Sequence, residues 1–239
     1  MKKNGLLALF IFVCGYLFAQ SANDITKKYL ETVGEQAPLY YGSLQEGRLP
    51  ALNHPYLEDG RYSMARLSYR DVVYPEVMLR LDLERDELII LSPDGRQIVL
   101  FPEYVDHAEL HGSRIIYFHN DGLPGSPSTG YYVLLHSGNS MVLKKQTARL
   151  TDRQTSPTGR DRQYVFKTTF FLHKDGVYHT IRNKRSLLRV LSPHQKELRQ
   201  FISSNRLNYR KNADELITRT VIEYEKLTSL RATPLSSSL

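Results

Sequence analysis

Leu79, Leu81 and Leu83 alternate with Arg80, Asp82 and Glu84. A two-residue period of this kind fits a strand with one buried and one wet face, and it excludes an amphipathic helix over the same residues. From Pro38 to about Asn183 short apolar runs alternate with turn signals. Pro93-Asp94-Gly95, Ser137-Gly138-Asn139 and Lys174-Asp175-Gly176 each separate two such runs, and each glycine is expected to supply a positive φ that other residues resist. Links this short predict antiparallel neighbours in chain order, with roughly eight to ten strands in all.

Helical spacing replaces the alternation at both ends. Asn23 is placed to cap a helix on which Ile25, Tyr29 and Val33 share a face and which Gly34 stops. Near the other end, Ser192-Pro193-His194-Gln195 reads as a cap, an N1 proline and a capping-box glutamine, with Leu198, Phe201 and Ile202 as the buried stripe. Asn212 with Glu215 repeats the start signal, and Leu216, Ile217, Thr220, Val221, Tyr224 and Leu227 continue it. Two stretches rich in Gly, Pro, Ser and Thr, Asn120 to Gly130 and Asp152 to Asp161, read as mobile loops. The fold class expected is therefore α+β. An antiparallel β-meander, as a curved sheet or half-barrel, carries a short N-terminal helix and two to three C-terminal helices packed on it.

Residues 1–20 read as a signal peptide, with basic Lys2 and Lys3, an apolar run from Leu6 to Phe18 and a small Ala19 for cleavage. The run is shorter than a spanning helix requires, and Val13 before Cys14 does not suit a lipidation box. Cys14 is the one cysteine. A cleaved chain would have no disulfide, Cys-type zinc site or thiol nucleophile. The remainder reads as a single domain over 21–230, β-rich over 38–183 and helical over 186–230, followed by a tail at 231–239. The helical C-terminus argues against an outer-membrane barrel, which normally finishes on a strand. Export to the periplasm, or to the periplasmic side of the outer membrane, is the expected address.

The net charge of +7 is unevenly distributed. Residues 21–140 hold 10 Lys+Arg against 17 Asp+Glu, whereas residues 141–239 hold 20 against 8. A basic second half suits an anionic partner, and export turns that expectation away from nucleic acid toward an envelope protein, glycan or lipid. Within that half Arg182, Lys184, Arg185 and Arg189 lie where the last strand meets the helices. They form the candidate binding site for a phosphate or carboxylate.

Chemistry is sparse elsewhere. His107 and His111 have a spacing that would present two zinc ligands on a helix, but Gly112 and the intervening Ala108-Glu109-Leu110 do not fit a zinc-protease pattern. Asp82, Glu84 and Asp86 would crowd three carboxylates on one strand, yet Glu84-Arg85-Asp86 reads better as a hairpin turn neutralised by Arg85. There is no nucleophile elbow, phosphate loop, dinucleotide fingerprint or calcium loop. Tyr40, Tyr41, Tyr62, Tyr69, Tyr74, Tyr131 and Tyr132 offer a binding surface or, by strand preference alone, core. No cofactor, metal or catalytic residue is expected from these patterns.

Phe18-Ala19-Gln20, His54-Pro55-Tyr56, the stretch Tyr74 to Ile89, Gly176-Val177-Tyr178, Ser186-Leu187-Leu188, Lys196-Glu197-Leu198 and Phe201-Ile202 together resemble an uncharacterised exported family of the Bacteroidota. The resemblance spans nearly the whole chain after the leader. It implies an envelope address and no activity, ligand or catalytic residue. The leading expectation is a non-enzymatic cell-envelope binding or accessory protein that meets an anionic partner. The alternatives are a half-barrel carrier of a lipid or other apolar ligand, and a hydrolase without a recognisable motif.

Overall fold

The computed structural model describes residues 24–154 and 160–232. The leader, the cap at Asn23, residues 155–159 of the second loop and residues 233–239 of the tail lie outside them. Eleven strands form an antiparallel sheet that is not closed, and four helices accompany it. The described chain groups into two compact units, one reaching to Gly112 and including Arg149–Tyr164, the other made of Ser113–Ala148 and the chain from Val165 onward.

The first unit opens with helix α1 over 24–33, which ends at Gly34 with φ 55°. Its strands are β1 (Ser43–Leu44), β2 (Ser63–Tyr69), β3 (Val72–Asp82), β4 (Glu87–Leu91), β5 (Gln97–Val99) and β6 (Val105–Leu110). Their order is β1-β5-β4-β3-β2-β6. The expectation that consecutive strands are neighbours fails between β1 and β2 and between β5 and β6. The free side of β5 is occupied by β1, through the pairs Ser43↔Val99 and Leu44↔Ile98, so β6 takes the open edge of β2, with Ser68 opposite His107. Leu67, Tyr69, Leu79, Leu88, Ile89 and Ile90 are fully buried here, each such side chain contributing about 1.5 to 3 kcal/mol on leaving water.

One residue breaks the expected alternation of β3. Asp82, assigned by period to the wet face, is fully buried. Its partner Arg48 lies in a distant loop that the period of the strand does not reveal. The turn after it is as expected, with Asp86 at φ 57° and β3 paired to β4 through Asp82↔Glu87.

The second unit holds β7 (Ser113–Phe118), β8 (Gly130–Ser137), the first part of β9 (Met141–Gln154), the last part of β10 (Arg160–Lys174) and β11 (Val177–Ile181), ordered as in the chain. Helices α2 (Lys184–Val190), α3 (Gln195–Ser204) and α4 (Ala213–Ala232) follow. They cover the strands. Val142, Phe170, Leu172 and Ile181 share one buried cluster with Leu187 and Leu188 of α2, Leu198 and Ile202 of α3, and Leu216, Ile217, Val221 and Tyr224 of α4.

Local signals fared unequally in this unit. Asn212 Oδ1 accepts the Glu215 N–H at 3.1 Å, as a cap for α4 should. The Ser192 cap is corrected: α3 starts at Gln195 with His194 as its N-cap and no side-chain cap bond. The His194 ring is instead buried edge-on against Tyr224, so tertiary packing sets where the helix begins. Asn183 and Ser186 form a reciprocal capping box that starts α2. Gly176 has the expected positive φ of 76°, whereas Gly138 is not in that region. A Cβ there would stand 2.6 Å from Glu225 Oε2 and 2.8 Å from His136 Nε2, so the glycine leaves room for these two side-chain ends rather than serving a left-handed turn. The 120–130 loop is tied down. Asn120 Nδ2 donates to Pro127 O at 3.0 Å, the Tyr178 N–H to Pro124 O at 2.9 Å, and the Tyr178 hydroxyl to Asp121 at 2.9 Å.

Candidate functional site

A four-residue link joins α2 to α3, and the exposed faces of these two helices enclose an open pocket of about 440 Å³. Leu187 and Leu188 point α2 into the core, which leaves Lys184, Arg185 and Arg189 exposed. On α3 the buried pair Leu198 and Ile202 does the same for Arg199. Lys184, Arg185, Arg189 and Arg199 line the pocket together with Gln195 and Leu188. None of the four cations has a carboxylate within 4.0 Å among the described residues. Four unpaired positive charges around one depression hold a potential that concentrates anions.

Three of the four basic residues singled out from sequence therefore line one pocket. Arg182 is exposed and is not among the lining residues; its backbone N–H donates to Ser186 Oγ at 3.0 Å in the α2 capping box. Arg199 escaped the sequence reading because it sits ten residues beyond Arg189. The usable signal was the short link, which sets the faces of two consecutive helices side by side.

The first unit treats its cations differently. Arg48 contacts Asp82 and Glu84 through its two terminal nitrogens, with side-chain exposures of 14%, 0% and 29% respectively. It also donates to the Tyr164 hydroxyl at 3.2 Å. Asp82 Oδ1 in turn accepts the N–H groups of Glu84 and Arg85, both at 3.0 Å, closing the hairpin turn. Arg85, expected to neutralise its own turn, reaches out to Glu46 O at 3.1 Å and Gly47 O at 3.3 Å and braces the loop that carries Arg48. Burial works against the Arg48 charge, and Asp82, Glu84 and Tyr164 more than restore it, so its pKa is raised. Beside it, Glu87 has its pKa raised by burial and by the Asp82 charge.

The remaining expectations are resolved by placement. His107 is in β6 and His111 in the turn after it at φ 51°, so the helical spacing that would present two metal ligands does not exist. Tyr69, Tyr74, Tyr131 and Tyr132 are buried, which makes them core, while Tyr41 is 53% exposed. His136 Nε2 lies 3.0 Å from Glu225 Oε2, a pair within proton-transfer reach. The other Glu225 oxygen accepts the Ser140 N–H at 2.6 Å, so the pair pins the β8–β9 hairpin to α4. Among the described residues no helix is long and apolar enough to cross a membrane. Comparison with protein families, with characterised proteins and with solved structures gave no match.

Proposed function

We propose that this protein is a non-enzymatic binding or accessory module of the cell envelope, and that the pocket between α2 and α3 holds an anionic group of its partner. The observation that carries this reading is the set of four cations, Lys184, Arg185, Arg189 and Arg199, around one pocket with no carboxylate beside any of them among the described residues. The leader-like residues 1–20 support the address. Arginine suits the task because its planar fork matches the oxygens of phosphate and carboxylate alike.

Pyrophosphate is the simplest multiply charged probe. Isothermal titration of the protein is expected to show binding at low salt that weakens about tenfold on going to physiological ionic strength. The triple variant Arg185→Ala, Arg189→Ala, Arg199→Ala is expected to lose it. Equal affinity in the variant, or no response to salt, overturns the reading.

A further inference from the structure

The first unit contains a second pocket, of about 450 Å³, around Arg80 of β3. Arg80 lies over the rings of Tyr56 and Tyr62, 3.8 and 4.2 Å from their centroids. Its Nη2, which carries two hydrogens, lies 2.9 Å from Gln45 Oε1, 3.0 Å from the Tyr56 hydroxyl and 2.7 Å from Gln97 Oε1. The register of β1 against β5 brings the two glutamines together, since the Gln45 N–H donates to Gln97 O at 2.9 Å.

Every one of these partners is neutral. Among the described residues Arg80 has no carboxylate within 4.0 Å, although it is half-buried. Tyr62 does not supply the charge, because burial pushes its hydroxyl up to about 12 against the pull of Arg80. Arg48, which lines the same pocket, is shared by two carboxylates, Asp82 and Glu84, and brings no spare positive charge. Glu46 on the rim has an 86% exposed side chain and faces Arg85 at 3.6 Å.

The polarity of the cluster follows from the guanidinium having no lone pair. Both amide oxygens must face Arg80, which fixes the amide orientations. Gln45 Nε2 then donates to the Tyr56 hydroxyl at 3.3 Å, and since neither that amide nitrogen nor the guanidinium can accept, the hydroxyl's own hydrogen is unspent among them. Gln97 Nε2 and Arg80 Nη1 likewise have no acceptor among the described residues. Arg80, Gln97 and Tyr56 all line the pocket. Spare donors on three lining residues thus stand beside a guanidinium that has no carboxylate within 4.0 Å among the described residues.

We infer that the Arg80 pocket is a binding site for a carboxylate carried on a small polar ligand, with Arg80 Nη1, Gln97 Nε2 and the Tyr56 hydroxyl as its donors. A monoanion suits a lone guanidinium held by neutral partners, and the second carboxylate on neighbouring Arg48 weighs against a phosphate dianion. The rigid clamp on Arg80 means that little ordering is left for the ligand to impose.

The probe is D-glucuronate, followed by isothermal titration and by amide chemical shifts, with glucose as the uncharged control and glucose 6-phosphate as the dianionic one. Glucuronate is expected to bind and glucose not to bind. Arg80→Gln is expected to weaken glucuronate about tenfold or more, the loss of a charge-assisted bond. Gln97→Ala, at an exposed position, is expected to weaken it about threefold without affecting folding, which keeps the test valid if Arg80→Gln unfolds. The triple variant of the α2–α3 pocket should bind glucuronate as the parent does. Absence of glucuronate binding, unchanged binding in Gln97→Ala, loss in the triple variant, or tighter binding of glucose 6-phosphate through Arg80 would each overturn the assignment. None of these results bears on whether pyrophosphate binds between α2 and α3.

Discussion

Arg48 and Arg185 carry the same guanidinium, but the first sits at 14% side-chain exposure against two carboxylates and the second is exposed with none beside it among the described residues. The difference follows solvent access. In water a charge is screened over roughly 8 Å at physiological salt, so several cations can share a surface at small cost. Where water is excluded, an unpaired charge costs several kcal/mol, and a partner becomes a condition of folding. Arg80 lies between these limits. It is half-buried and held by neutral acceptors and aromatic faces, which moderate its charge without cancelling it.

The largest test of this contrast is Arg48→Met. Asp82 is fully buried and keeps only the turn N–H groups of Glu84 and Arg85 once Arg48 is gone. The expected cost is about 3 to 5 kcal/mol in urea denaturation. Pairing the change with Asp82→Asn should recover a large part of it, because the stranded charge is then removed. A loss of less than about 1 kcal/mol in the single variant, the range of an exposed ion pair, would erase the distinction between the two regions.

How much of this was legible beforehand depended on the range of the interaction. The hairpin at Gly176 and the cap at Asn212 are written in adjacent residues, and the stripe of α4 repeats over three turns. All three were readable. The burial of Asp82 depends on an arginine 34 positions earlier, and nothing in an alternating strand marks which polar residue will find such a partner. The start of α3 is hidden for a similar reason, since His194 is fixed by its contact with Tyr224 on another helix. For the basic pocket, three residues on one helix were visible as a cluster. The fourth arrives by tertiary packing, as do all the donors around Arg80.

A smaller test lies next to Asp82. Glu87 sits directly across the β3–β4 ladder from it, and Glu87 Oε2 is buried without a hydrogen-bond partner among the described residues. Burial and the Asp82 charge raise its pKa above the usual 4.5. The folded state therefore holds the Glu87 proton more tightly than the unfolded chain does. Its favourable contribution is present below the unfolded pKa and is lost as pH rises through the folded one. Glu87→Gln is expected to stabilise the protein at neutral pH by on the order of 1 kcal/mol. The gain should shrink as pH falls through the folded pKa and vanish below the unfolded one. Thermal melts of parent and variant across that range check it, and a difference that grows in acid reverses the sign.

The smallest expected effect belongs to the pocket between α2 and α3, and its smallness makes it the sharpest half of the comparison. Arg185, Arg189 and Arg199 are exposed and have no carboxylate partner among the described residues, so replacing all three with alanine removes mutual repulsion and strands no opposite charge. Alanine also has the better intrinsic helix propensity on α2 and α3. Stability is expected to stay within about 0.5 kcal/mol of the parent, with any gain largest at low salt where repulsion is least screened. Urea denaturation at two ionic strengths measures it alongside the pyrophosphate titration. Lost binding at preserved stability means that the cluster is retained for a ligand, whereas a cost comparable to Arg48→Met would mean that these arginines support the fold and that solvent access does not separate the two regions.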